Sequence, residues 1–437
     1  MKKFFGTDGI RGKANELLTP ELALKVGEYL GYKNQKERFV IAKDPRQSSD
    51  MLEHALAAGL ASSGADVYLM GVAATPALAY VVREHNFVSG VMISASHNPY
   101  HDNGLKVFSH TGLKISNELE AEIESYLRGE ITIEKSDHIG KIVSYPQGVE
   151  DYIEAIENTV ETRFDGLKIV LDLANGAATS TAGKIFSDLG AEVILMNAQP
   201  DGININNKAG STHMSYLQKR VVEEKANLGF AFDGDADRVL AADHLGNLID
   251  GDKIIYILGK EMKRTGHLPN NTVVSTVMAN LGFIHAMRDE NIKVIQTNVG
   301  DRHVAKEMFD NGYTLGGEQS GHILLKEFST TGDGVLTALK LTESIISADL
   351  SLYDVSKDCA NFPQVLKNIT VTNKDEIMNH PSLLDKIKEV EDHLQDEGRI
   401  LVRASGTEPL VRVMIEASSE DICHTLADEV VNLIENL

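Results

Sequence analysis

Residues 228–238 read LGFAFDGDADR, an apolar run that stops at Phe232 and gives way to carboxylates at alternate positions, Asp233, Asp235 and Asp237. A short apolar run bounded by turn-forming residues is the signature of a buried strand. The same transition recurs at 88–99, VSGVMISASHNP, and at 313–322, YTLGGEQSGH. Working outward, each run closes a set of alternating strands and helices. The first set has strands at 39–42, 67–70 and 88–93 with helices at 51–63 and 76–85. The second has strands at 167–171, 192–196 and 228–232 with helices at 181–189 and 215–226. The third has strands at 272–277, 293–296 and 313–315 with helices at 281–290 and 302–310. The end of the chain differs, with strands at 400–403 and 410–415 around the turn SGTEP and a helix over 421–437.

This pattern predicts an α/β protein: three successive βαβαβ-type mixed-sheet domains around a cleft, over 1–150, 151–250 and 251–358, plus a small C-terminal α+β domain over 359–437. In open α/β sheets ligands sit beyond the carboxyl ends of the strands, so three such polar ends converging on one cleft would form a composite site.

Composition narrows the class. A chain of 437 residues exceeds one hydrophobic core. Its formal charge of −22 has the wrong sign for general nucleic-acid binding, so an anionic ligand needs a focused cluster of cations. No window approaches the roughly 20 apolar residues of a membrane span. The N-terminus reaches Gly6 and Asp8 before any apolar run forms, so it does not read as a secretory signal. The two cysteines, Cys359 and Cys423, lack CxxC spacing and fit a reducing, cytoplasmic location.

The motifs carry distinct chemistry. Three carboxylates in DGDADR turn toward one hard cation, and the absence of glycine at the sixth position excludes an EF-hand. In SASHNP, Ser94 and Ser96 both stand at a strand end and either is a candidate nucleophile. Asn98-Pro99 and Asn103-Gly104 mark turns, so the segment reads as a loop that Lys106 ends. GGEQSGH offers Glu318 and Ser320 to sugar hydroxyls and His322 for proton exchange. In RASGTEPLVR the turn Ser405-Gly406-Thr407 between Arg403 and Arg412 makes a phosphate cradle.

Together, FGTDGIRG (5–12), ISASHNP, AFDGDADR, GGEQSGH and RASGTEPLVR, in this order across the chain, resemble the α-D-phosphohexomutase superfamily. Gln319, FGTDGIRG and PDGININNKAGSTH (200–213) are most similar to its bacterial glucosamine-phosphate branch. The resemblance implies an isomerase that interconverts glucosamine-6-phosphate and glucosamine-1-phosphate and feeds UDP-N-acetylglucosamine and cell-wall precursor synthesis. It implies that Ser96 carries the phosphate and completes the metal site with Asp233, Asp235 and Asp237. Arg11, Lys106 and Arg238 then stabilise the transferring group, Glu318 and Ser320 hold the sugar, and Arg403, Ser405, Gly406, Thr407 and Arg412 grip the distal phosphate. His97 and His322 are the proton-transfer candidates. One Mg²⁺ per site and a glucosamine-1,6-bisphosphate intermediate or activator are implied. The expected partners are a hexosamine phosphate, no nucleic acid and no membrane, with a homodimer left open.

Two departures stand out: Ala236 replaces a commoner glycine, and Asn298 and His303 flank VGDR. A phosphomannomutase or phosphoglucomutase is the alternative, a metal-dependent phosphatase another, and a sugar-phosphate sensor a third that no missing motif residue supports.

Overall fold

The computed structural model describes residues 4–405 and 409–437, folded as two compact units. One runs up to Met278 and includes Ile292–Lys357; the other joins Ala279–Asn291 to Asp358–Leu437.

The first unit holds three mixed sheets. Strands follow the order Phe5–Gly6, Gly9–Lys13, Asp102–Ser109, Ser89–Ile93, Arg38–Lys43, Asp66–Val72 and Ile142–Ser144 in the first sheet. In the second they run Leu248–Ile249, Val239–Asp243, Leu228–Phe232, Lys168–Asp172 and Glu192–Met196. In the third they run Lys293–Thr297, Thr272–Thr276, Leu315–Gly317 and Ile323–Leu325. Ser89–Ile93 and Leu228–Phe232 are buried at every position, as strands covered on both faces require.

Each sheet repeats one local device. The parallel strand Ser89–Ile93, Leu228–Phe232 or Leu315–Gly317 runs into its polar motif, and the next strand, Asp102–Ser109, Val239–Asp243 or Ile323–Leu325, returns antiparallel beside it. The motifs are therefore hairpin tips. This corrects the expectation that Lys106 ends a loop: it lies within the return strand Asp102–Ser109, paired with Met92. Asn103-Gly104 does not turn the chain there, because the pairing of Ile93 with Leu105 and of Gly12 with Asn103 holds it extended.

Helices outside the predicted sets complete the unit, including Pro20–Lys33, capped by Thr19, and Gly251–Thr265, capped by Asp250. No helix among the described residues is long and apolar enough to cross a membrane.

In the second unit, Gln364–Thr370, Leu410–Ala417 and Gly398–Ala404 form an antiparallel sheet over a core that includes Leu383, Val390, Val413 and Val430. The helix Leu281–Asp289 is tied into it by the buried Glu416, which accepts from Leu281 N–H at 3.0 Å and Arg399 Nε at 2.6 Å.

Candidate active site

The carboxylate loop follows from its backbone. Ala236 has φ 58°, the left-handed region that an L-residue adopts at a cost of about 1–2 kcal/mol, which explains why glycine suits this position. Gly234 has no φ demand but a spatial one: a Cβ there would lie 2.4 Å from the Ser96 carbonyl oxygen. The loop can thus press against the serine segment. Asp233, Asp235 and Asp237 are all buried, and each offers an oxygen within 4.8 Å of the others.

Burial, with the charges of Asp237 and Asp235, pushes the Asp233 carboxyl well above its usual range. Burial also opposes ionisation of Asp237, but Lys106, then His322 and Arg238, hold it well below that range. Asp235 Oδ1 and Asp237 Oδ1 are buried without a hydrogen-bond partner. Converging hard oxygens with unused lone pairs fit a divalent cation of the Mg²⁺ type.

Of the two candidate serines, geometry separates the roles. Ser96 Oγ donates to Asp233 Oδ2 at 2.5 Å and lies 3.4 Å from His97 Nδ1. Ser94 Oγ donates to Asp44 Oδ2 at 2.7 Å and accepts from Ser96 N–H at 2.8 Å, so it holds backbone instead. Ser96 itself sits at φ 53°.

Cations surround this centre. Lys106 Nζ, buried, lies 2.6 Å from Asp235 Oδ2, 3.2 Å from Asp237 Oδ2 and 3.3 Å from Asp8 Oδ2. Burial disfavours its charge, yet Asp235, Asp237 and Asp8 raise its pKa. Arg11 pairs with Asp8 and Arg238 stands beside Asp237; Nε of each arginine is buried with no hydrogen-bond partner.

The histidines differ. Burial, then Arg238 and Arg11, lowers the pKa of His97 to about 4, and its Nδ1 lies 3.3 Å from Arg238 Nη1. It is a neutral acceptor at pH 7. Burial also opposes protonation of His322, but Asp237 and Asp301 raise its pKa. Its Nε2 accepts from Gly332 N–H at 3.2 Å, and Nδ1 stands 3.7 Å from Asp237 Oδ1.

A cavity of about 660 Å³ opens beside these groups, walled by Lys114, Asp301, Arg302, Glu318 and His322 among others. Glu318 Oε1 accepts from Gly300 N–H at 3.0 Å, whereas Ser320 is exposed and not among the cavity walls. Gln319 Nε2 reaches Asp250 Oδ2 at 3.4 Å, at the cap of Gly251–Thr265.

In the second unit, Arg403 and Arg412 are cross-strand partners, a like-charge pairing that opposes folding unless an anion lies between them. Burial and Arg412 lower the pKa of Arg403. Ser405 N–H closes the turn onto Leu410 O at 2.9 Å. Glu416 is engaged by Arg399. Gly406 and Thr407 lie outside the described residues.

Sequence reasoning missed Asp8, Lys114, Asp301 and Thr75. Asp8 joins Arg11, Lys106 and Lys114, and Lys114 Nζ continues to Asp301 Oδ2 at 2.5 Å. Asp8 and Asp301 stood within FGTDGIRG and VGDR, two segments already singled out; Thr75 carried no signal.

Four family models match the chain: phosphoglucomutase/phosphomannomutase alpha/beta/alpha domains I, II and III over residues 2–133, 150–246 and 250–362, and the C-terminal domain over 366–433. Among its relatives, phosphoglucosamine mutase of Carboxydothermus hydrogenoformans is 50% identical over 100% of both chains. That of Lachnoclostridium phytofermentans is 48% identical over 99% of this chain and 98% of the relative. A phosphoglucomutase/phosphomannomutase family protein of Burkholderia thailandensis shares the fold with a TM-score of 0.82 at 23% identity, covering 99% and 97% of the two chains. Aspergillus fumigatus N-acetylphosphoglucosamine mutase, solved with GlcNAc-6P and magnesium, does so with a TM-score of 0.72 at 18% identity, covering 100% and 96%.

Proposed function

Because the chain belongs to the phosphoglucomutase/phosphomannomutase family, we propose that it acts as a phosphoglucosamine mutase, an isomerase interconverting glucosamine-6-phosphate and glucosamine-1-phosphate in the cytoplasm. Relatives about half identical over the whole chain carry that activity in their names, which disfavours the phosphomannomutase or phosphoglucomutase alternative. The observation that carries the mechanism is Ser96 Oγ against Asp233 inside a carboxylate triad ringed by Lys106 and Arg238.

In the proposed cycle Ser96 carries a phosphate. Asp233, Asp235, Asp237 and the phosphorylated Ser96 would hold Mg²⁺, which when bound withdraws charge from the phosphoryl oxygens and from the serine oxygen as it leaves. The free sugar hydroxyl attacks phosphorus, the bond from phosphorus to Ser96 Oγ breaks, and a glucosamine-1,6-bisphosphate forms. Reorientation and return of the other phosphate to Ser96 give the isomer. Phosphoryl transfer depends on positioning and charge neutralisation, and Arg11, Lys106 and Arg238 supply the cations. His322, which lines the cavity, and His97 are the two candidates for the hydroxyl proton. His97, kept neutral, orients Arg238 through Nδ1. Glu318 and Ser320 are assigned to the sugar. Arg403, Ser405, Gly406, Thr407 and Arg412 are assigned to the phosphate that is not being transferred.

A coupled assay of purified protein on glucosamine-6-phosphate and glucose-1-phosphate tests the reading. Preferential turnover of the glucose phosphate, or stoichiometric release of inorganic phosphate, overturns it.

A further inference from the structure

The nucleophile's backbone is locked by groups distant from it in sequence. Asp44 and Arg46 follow the strand Arg38–Lys43 and are buried. Arg46 Nε donates to Asp44 Oδ2 at 2.8 Å, and Arg46 Nη2 donates to the Ser96 carbonyl at 2.7 Å. Ser96 N–H donates to Ser94 Oγ at 2.8 Å, and Ser94 Oγ donates to that same Asp44 Oδ2 at 2.7 Å. The circuit closes on both sides of one residue. Arg46 Nη1 also donates to the carbonyls of Pro99 at 2.5 Å and Asp102 at 3.0 Å, gripping the rest of the tip.

A second element reaches the same carbonyl. Asn206 Nδ2 donates to Ser96 O at 2.8 Å and to Asn98 O at 3.1 Å. Asn206 belongs to PDGININNKAGSTH, the segment that the catalytic assignments leave without a role. Its contacts are to the serine tip, and neither Asn206 nor Arg46 is among the cavity walls.

Resting on the reading of Ser96 as phosphate carrier, we propose that Arg46 and Asn206 are positioning residues: together they hold Ser96 at its left-handed φ and so aim Oγ at the carboxylate triad. A residue held in a sparsely populated conformation persists only where its surroundings over-determine it. Here both peptide groups flanking the Ser96 α-carbon are pinned by buried partners. Released, Ser96 would relax to negative φ, and the direction of its Cα–Cβ bond relative to Asp233 would change with it. The two clamps come from loops that follow strands of different sheets, Arg46 after Arg38–Lys43 and Asn206 after Glu192–Met196, so the aim of the nucleophile is tied to the docking of the serine tip on the carboxylate loop.

The test uses full-length protein, wild type, Asn206→Gly and Arg46→Lys, each charged with glucosamine-1,6-bisphosphate. Phosphate on Ser96 is quantified by intact mass and peptide mapping, and its single-turnover transfer to glucosamine-6-phosphate is timed. Glycine suits the φ of 58° at position 206 while removing the amide donor. Lysine keeps a charge for Asp44 but lacks the planar fork by which Arg46 reaches Asp44 and the carbonyls of Ser96, Pro99 and Asp102 together. Loss of folded enzyme lowers the amplitude of transfer, whereas a misaimed nucleophile lowers its rate constant.

The expected result is a rate constant reduced about 10- to 100-fold per phosphorylated enzyme, with KM little changed. If Arg46→Lys fails to fold, Asn206→Gly carries the test alone. A wild-type rate constant in Asn206→Gly overturns the positioning role while leaving the mutase reading intact. A wild type that carries no phosphate on Ser96 overturns the mutase reading and this inference together.

Discussion

Thr75 Oγ1 donates to Asp235 Oδ2 at 2.5 Å, and Thr75 N–H donates to the Asp235 carbonyl at 2.9 Å. These contacts span 160 positions of sequence and fix both the carboxylate and the backbone of a proposed metal ligand. Asp235 Oδ1, the other oxygen, is left buried without a hydrogen-bond partner. Groups that orient a ligand in this way commonly tune metal affinity. Thr75→Val, which keeps the shape and removes the hydroxyl, should weaken Mg²⁺ or Mn²⁺ binding about 10- to 100-fold, and Thr75→Ser should restore most of it. Titration calorimetry with each metal measures this; equal affinities for Val and Thr would show that the hydroxyl does not orient Asp235.

Ser96→Ala should abolish mutase activity and leave the protein folded, because only the hydroxyl on Asp233 is removed from an otherwise unchanged tip. Phosphopeptide mapping of the wild type should find the phosphate on Ser96. Reproducible phosphate on Ser94, whose hydroxyl is committed to Asp44, would reverse the assignment.

Asp333 gives a pH signature of its own. It caps the helix Gly334–Ala348, accepts from Tyr152 OH at 3.0 and 3.1 Å, and is buried, which lifts its pKa to about 6. Between the ordinary aspartate pKa, about 3.9, and this raised value, the folded state keeps a proton that the unfolded chain has lost. Stability from this group is therefore lost as pH rises through that window, by roughly 2–3 kcal/mol in all. Asparagine is an equally good cap with no charge to bury, so Asp333→Asn should raise Tm at pH 8 and lose that advantage below about pH 4. Calorimetry at both pH values decides; a stabilisation independent of pH would contradict the assigned ionisation.

Arg403→Ala should lower kcat/KM by an amount on the order of 2–4 kcal/mol in transition-state stabilisation, with poor rescue by lysine, if the facing pair Arg403 and Arg412 grips a phosphate. Relief of the like-charge pairing should leave Tm unchanged or higher. Steady-state kinetics at equal metal saturation, read beside a melting curve, separates this from a folding defect. Unaltered kinetics would remove Arg403 from the substrate-binding set.

What the sequence by itself determined is local: apolar runs of strand length, each ending in a polar motif, and the chemical types within those motifs. Those patterns depend on neighbours along the chain, so Leu228–Phe232 and the carboxylates after it were legible without coordinates. Tertiary structure decided which groups meet. Ser96 rather than Ser94 faces Asp233 across 137 positions, and Lys106 reaches Asp235 across 129 because a return strand carries it there. Asp8, Lys114 and Asp301 form one ion network from three segments that share no sequence pattern. Arg46 and Asn206 look unremarkable as letters and gain meaning only where their donors converge on one carbonyl. The physical reason is that periodicity encodes burial and backbone direction, whereas a hydrogen bond or ion pair between distant residues is set by strand order and loop conformation, which no short window of sequence contains.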